Sequence, residues 1–171
     1  MNKDIREILI TEDALKSKVS ELGAKITEDY RGKDVLLVCV LKGAVIFVSD
    51  LMRKIDIPLD IDFMAISSYG SNTQSSGVVR ILKDLNSSIE GRHVLIVEDI
   101  IDSGLTLSYL IDNLKSRKPA SVEICTIVDK PERRTTDLKI KYTGFQVPDE
   151  FVVGYGLDYA EKYRNLPYIA V

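Results

Sequence analysis

Val94-Leu95-Ile96-Val97-Glu98-Asp99-Ile100-Ile101-Asp102-Ser103-Gly104-Leu105-Thr106-Leu107 is the stretch on which the fold turns. An apolar run of strand character ends in carboxylates and opens into a turn of small residues. Beyond it Leu107, Leu110, Ile111 and Leu114 fall on one face of a helix. A strand is expected over His93–Val97, with Glu98 to Thr106 following its end directly. In a parallel sheet that is where ligands collect.

The same alternation runs outward in both directions. Leu15, Val19, Leu22 and Ile26 repeat at helical spacing after Thr11-Glu12-Asp13, a cap followed by acids suited to a helix N-terminus. Val35–Leu41 is nearly all apolar, as in a strand covered on both faces, and Gly43 separates it from a second apolar segment, Ala44–Met52, read as a helix. Asp60–Ile66 and Val78–Leu82 are expected strands flanking a polar stretch from Ser67 to Gly77 that has no face to bury. Ser121–Val128 is the next buried strand, followed by shorter pieces such as Phe145–Val153 and a tyrosine-rich tail. Strands alternating with helices predict an α/β fold with a mainly parallel twisted sheet flanked by helices. The N- and C-terminal segments are expected to form a small hood over it. With 171 residues the chain fits one domain, 1–171, with its core at roughly 30–145.

Composition removes several function classes. A net charge of −3 with scattered basic residues offers no positive face for nucleic acid. No run approaches the ~18 apolar residues of a membrane span, and the charged start Met-Asn-Lys-Asp-Ile-Arg-Glu carries no signal-type stretch. A cytoplasmic protein without nucleic-acid or membrane partners is the expectation. Cys39 and Cys125 lie in apolar runs and read as small buried hydrophobes. With His93 the only histidine, no Cys/His metal cage can be built.

Ser103, Gly104 and Thr106 at a helix start offer backbone N–H groups, two hydroxyls and the positive end of the helix dipole, which suit a phosphate. Leu105 contributes only its amide. Glu98 and Asp99 can accept hydrogen bonds from sugar hydroxyls, so a sugar phosphate fits better than phosphate alone. Asp102, taken alone, reads equally well as a helix cap facing water. Neither G-x-x-x-x-G-K-[ST] nor G-x-G-x-x-G occurs, which leaves out nucleoside-triphosphatase and dinucleotide loops.

The segment Ile96 to Thr106 closely resembles the signature of the type I phosphoribosyltransferases, which bind 5-phosphoribosyl 1-diphosphate. Four more segments, spanning Leu41 to Arg164, resemble the hypoxanthine-guanine branch: Leu41-Lys42-Gly43, Ser68-Tyr69, Asp129-Lys130-Pro131-Glu132-Arg133-Arg134, and Phe151 to Arg164. The resemblance implies transfer of ribose 5-phosphate to N9 of hypoxanthine or guanine, giving IMP or GMP and diphosphate. It implies that Lys42 and Gly43 bind diphosphate through a loop with a non-proline cis peptide at Leu41-Lys42, and that Arg164 grips diphosphate. Ser68 and Tyr69 would belong to a flap, Lys130 would select the purine 6-oxo group, Phe151 would stack on the base and the Val152 backbone would bond it. Arg134 would lie near the nucleotide. Asp102 would face purine N7 as general base, or as acceptor for the proton displaced during attack. Magnesium is implied, held by Asp158 with Glu98 and Asp99, and a homodimer or homotetramer is the expected assembly. One departure is Leu105, where some members of the branch carry lysine. Two other readings use the same site: a preference for xanthine, or a nucleotide-sensing regulator that binds nucleic acid.

Overall fold

Thr11 does cap the first helix. In the computed structural model, which describes residues 3–68 and 79–171, its hydroxyl accepts from the Ala14 amide at 3.2 Å. After β1 (Ile8–Ile10), helix α1 (Glu12–Asp29) buries Leu15, Val19, Leu22 and Ile26, the stripe that the spacing predicts. There follow β2 (Val35–Val40), α2 (Val45–Met52), β3 (Leu59–Ser68), β4 (Val79–Lys83), β5 (His93–Ile101), α3 (Leu105–Lys115), β6 (Ser121–Asp129), β7 (Tyr142–Gln146) and β8 (Ile169–Ala170).

Six strands form one sheet in the order β4-β3-β2-β5-β6-β7. Every pair is parallel except β3 with the edge strand β4. Residues of β2 alternate between two cores. Leu37 and Cys39 face α1 and α2 with Leu95 and Val97, whereas Leu36, Val38 and Val40 face α3 with Val94 and Ile96. Each fully buried Leu, Ile or Val stabilises the fold by about 1.5–3 kcal/mol, so the two apolar layers hold the sheet between its helices. Cys39 and Cys125 are free and buried, as expected; burial, with Glu98 and Asp99 nearby, pushes the Cys39 thiol up to about 12.

Two differences from the sequence reading shape the site. The strand expected to stop at Val97 continues to Ile101, because β6 goes on pairing it through Glu98↔Thr126, Ile100↔Val128 and Ile101↔Asp129. Its pairing with β2 ends at Cys39↔Val97. Glu98 and Asp99 are therefore strand residues projecting past the end of β2. Second, the piece read as Phe145–Val153 is a strand only to Gln146, and it begins earlier, at Tyr142; Pro148, which has no N–H, stops the ladder.

At the termini β1 pairs antiparallel with β8. The Val171 amide donates to the Glu7 carbonyl at 2.9 Å, and the Arg6 amide donates to Val171 at 2.6 Å. No helix among the described residues is long and apolar enough to cross a membrane.

Candidate active site

From β2 the chain passes to β3 on one side, and the later strands β5 and β6 lie on the other. The crevice between the carboxyl ends of β2 and β5 is thus a topological switch point, where open α/β sheets bind ligands. A cleft of about 260 Å³ occupies it, walled by Val40, Glu98, Asp102, Ser103, Gly104 and Thr106.

Glu98 and Asp99 sit side by side in this crevice. Burial raises both carboxyls above their ordinary values, Glu98 strongly so because the Asp99 charge adds to it. The Ile100 amide donates to Asp99 at 2.7 Å. Their desolvated negative charge calls for hydroxyl donors or a cation.

Beyond Ile101 the chain turns through Asp102 and Ser103 to Gly104, whose φ of 84° lies in the left-handed region, and α3 starts with no side-chain cap. This turn is braced from the segment after β6. The Ser103 carbonyl accepts from the Thr135 amide at 3.0 Å and the Thr136 hydroxyl at 3.2 Å. The Asp102 carbonyl accepts from Arg134 Nε at 3.2 Å. The Leu105 amide lies 3.4 Å from the Ser103 hydroxyl, leaving the Leu105 side chain half-buried. The Asp102 carboxylate itself is exposed and 3.6 Å from Arg133 Nε.

The peptide bond Leu41-Lys42 is cis, as expected. Gly43 then packs flat against two partners: a Cβ there would stand 1.7 Å from Asp99 Oδ2 and 3.5 Å from the Gly156 carbonyl oxygen. Gly156, with φ +100°, returns the contact, since its Cβ would stand 1.9 Å from the Gly43 carbonyl oxygen. The C-terminal motif is thereby pressed onto the Leu41–Gly43 turn. Tyr155 fastens it from behind by donating its hydroxyl to Asp50 of α2 at 2.6 Å.

Arg164 reaches the same corner. Its Nη1 donates to the Gly156 carbonyl at 2.7 Å, and its Nη2 lies 3.6 Å from Asp158 Oδ1. Lys42 Nζ donates to Glu161 at 3.1 Å. Asp158 accepts from the Glu161 amide at 2.8 Å.

Lys130 follows β6 directly and is buried; its amide donates to the Ile101 carbonyl at 3.0 Å, which sets Lys130 beside the Asp102 turn. Next to it the Val147 amide donates to the Asp129 carbonyl at 2.9 Å, drawing the segment that leads to Phe151 toward the same corner. Phe151 is 63% exposed, a large aromatic face left open, while Val152 is buried. Tyr159 steadies the Phe151 ring edge to face, with centroids 5.9 Å apart. Ser68 ends β3, and Tyr69 lies outside the described residues.

The structure brings Glu98, Asp102, Ser103, Gly104 and Thr106 to one cleft, sets Gly43 against Asp99, and gathers Lys42, Asp158 and Arg164 around Glu161; Arg134 lies beside the Asp102 turn, with its guanidinium engaged by the protein. It donates to the buried Asp129 carboxylate and to the Asp102 carbonyl, a brace that spends its charge on the loop. Two residues were missed by sequence reasoning. Arg133 links Asp102 to Asp149, each at 3.6 Å, and nothing in an exposed Glu-Arg-Arg turn marks that. Glu161 pairs with Lys42; only its place between Asp158 and Arg164 hinted at it.

A parallel sheet with a small-residue turn opening a helix and paired acids at its switch point is the frame of a protein that handles phosphorylated sugars of nucleotides. Residues 7–160 match the phosphoribosyl transferase domain. The chain is 56% identical over 171 residues to the hypoxanthine-guanine phosphoribosyltransferase of Bacillus subtilis, covering 100% of this chain and 95% of that protein. It is 57% identical over 171 residues to the bifunctional protein TilS/HprT of Listeria monocytogenes, covering all of this chain but only 26% of that protein's length. A crystal structure of a Staphylococcus aureus hypoxanthine phosphoribosyltransferase superposes with a TM-score of 0.98 at 53% identity, covering 100% of this chain and 93% of that one. The chain belongs to the type I phosphoribosyltransferase family, on its hypoxanthine-guanine branch.

Proposed function

We propose that this chain, as one phosphoribosyltransferase domain over residues 1–171, is a cytoplasmic purine salvage enzyme. It transfers the 5-phosphoribosyl group of 5-phosphoribosyl 1-diphosphate to N9 of hypoxanthine or guanine, releasing diphosphate. The observation that carries this reading is the meeting of three distant segments at one crevice: Gly43 against Asp99 and Gly156, with the Ser103–Thr106 turn alongside.

The turn from Ser103 to Thr106 binds the 5'-phosphate at the start of α3, and Glu98 and Asp99 accept from the ribose hydroxyls. Lys42, Gly43 and Arg164 hold diphosphate. The purine lies on Phe151, with the Val152 backbone and the Lys130 ammonium bonded to its edge. Lys130 donates to the 6-oxo oxygen and stabilises negative charge building on it during attack. Asp102 accepts the proton displaced from the purine.

Magnesium fits this donor set. Among the described residues there is no cluster of three or more Asp, Glu, His or Cys that could cage an ion. Magnesium, however, is commonly held by one or two carboxylates plus substrate oxygens. The half-buried Glu98–Asp99 pair, both carboxyls raised by desolvation, supplies the negative charge that such a cation offsets. Asp158 would serve on the diphosphate side. When bound, magnesium supplies charge that stabilises the departing diphosphate.

A diphosphate-release assay with magnesium, 5-phosphoribosyl 1-diphosphate and each purine in turn tests the assignment. Release is expected with hypoxanthine and guanine and not with adenine, whose amino group would leave Lys130 without an acceptor; no release with any base overturns it. Lys130→Ala is expected to raise the KM for hypoxanthine about tenfold or more, the cost of one charged hydrogen bond. Steady-state kinetics that find native purine KM and intact rejection of adenine would remove Lys130 from the base site. The protein is proposed to act as a homodimer or homotetramer, which light scattering would read directly.

A further inference from the structure

The two cations assigned to diphosphate are already joined by an anion of the protein's own. Glu161 Oε2 accepts from Lys42 Nζ at 3.1 Å, and both Glu161 carboxylate oxygens lie 3.4 Å from Arg164 Nη2. A carboxylate spanning a lysine and an arginine presents oxygens where a diphosphate would present its own. We infer that Glu161 is an internal competitor for the diphosphate site, bridging Lys42 and Arg164 until diphosphate displaces its carboxylate. This rests on the proposed assignment of Lys42 and Arg164 to diphosphate.

The surroundings are built for exchange by side-chain rotation alone. The Glu161 backbone is fixed: its amide donates to Asp158 at 2.8 Å, Tyr159 and Lys162 exchange backbone bonds of 2.9 and 3.0 Å, and Ala160 and Glu161 hold φ of 49° and 69°. The Glu161 side chain, in contrast, is 62% exposed. It can swing into water with little loss of packing.

Arg164 and the Lys42 backbone do not need Glu161 to stay in place. Arg164 keeps its 2.7 Å bond to the Gly156 carbonyl, and Lys42 adjoins Gly43, which Asp99 and Gly156 enclose. This decides between two opposed roles. A carboxylate that pre-organised the cations would help diphosphate bind, whereas one that merely neutralises them hinders it. After group transfer the same carboxylate recaptures both cations and so favours departure of the product diphosphate.

The test is calorimetric titration of magnesium diphosphate into the native protein, Glu161→Gln, Glu161→Asp and Lys42→Ala. Exposed ion pairs change binding by about two- to fivefold each, so Glu161→Gln is expected to bind diphosphate about three- to tenfold more tightly. Glu161→Asp, which keeps the charge, should return toward native affinity. In turnover the Gln variant should show a lower KM for 5-phosphoribosyl 1-diphosphate and stronger product inhibition by diphosphate, with an unchanged melting temperature. Equal or weaker binding by Glu161→Gln, together with lost binding by Lys42→Ala, overturns the inference and leaves the proposed function standing. Native affinity in Lys42→Ala removes the Lys42 side chain from diphosphate binding, and the inference falls with that assignment.

Discussion

Asp102→Asn is expected to lower turnover by about two to four orders of magnitude, the usual contribution of a positioned acid or base. Binding of 5-phosphoribosyl 1-diphosphate should change little. The carboxylate is exposed, and although Asp102 shares the cleft with the residues assigned to the sugar phosphate, its own side chain is assigned to the purine and not to the sugar or diphosphate. An amide of the same shape keeps the turn intact, because what Arg134 grips is the Asp102 carbonyl, not its side chain. Among the described residues the charge paired with the carboxylate is Arg133, at 3.6 Å with both side chains about half exposed. Such a pair is worth under about 1 kcal/mol, so Arg133 yields Asp102 to a proton at small cost. Single-turnover rates set beside calorimetric affinity provide the check. Turnover within threefold of native would take the base role away from Asp102.

Gly156→Ala is the second large effect. The new Cβ would fall 1.9 Å from the Gly43 carbonyl oxygen, at a φ of +100° that side chains avoid. No rotamer change relieves a clash between two backbones, so the loop must back away from the Leu41–Gly43 turn. A loss of about 2–4 kcal/mol is expected, combining overpacking with backbone strain, along with a rise in the KM for 5-phosphoribosyl 1-diphosphate of at least about tenfold. Gly32→Ala is the matched control: its φ is +77°, yet nothing lies within 4 Å of the added atom. It should cost only about 1–2 kcal/mol and leave the KM alone. Native melting and KM in Gly156→Ala would mean that the two turns are not pressed together.

How far the sequence could be read depended on the kind of signal each part leaves. The stripe Leu15, Val19, Leu22, Ile26 and the apolar runs of β2 and β6 report burial directly, and burial has a period. The end of β5 has none. Whether Glu98 and Asp99 lie in a strand or a turn depends on a neighbour, β6, that keeps pairing after β2 has stopped. Strands as short as Ile8–Ile10 and Ile169–Ala170 carry too few residues for a pattern. In the site, the residue types of the Glu98–Thr106 and Phe151–Arg164 motifs were legible by resemblance, and the cis bond at Leu41-Lys42 with them. Pairings between distant surface charges were not. Nothing local links Lys42 to Glu161, or Arg133 to Asp102; and Arg134 looks the same in sequence whether it faces a nucleotide or the buried Asp129.

The contact of Gly43 with Gly156 also bears on when a newly made molecule becomes able to work. The apolar layer on the α1 and α2 side of the sheet is completed by Val152, Tyr155, Leu157 and Ile169, all from the C-terminal segment, so it cannot close while that segment is still unmade. The Leu41–Gly43 turn then has Asp99 beside it but no Gly156 over it, and β1 has no β8 to pair with. The corner is therefore complete only once the stretch from Val152 to Ala170 has docked, and a nascent polypeptide stalled short of it would lack both that part of the core and the Gly43–Gly156 contact.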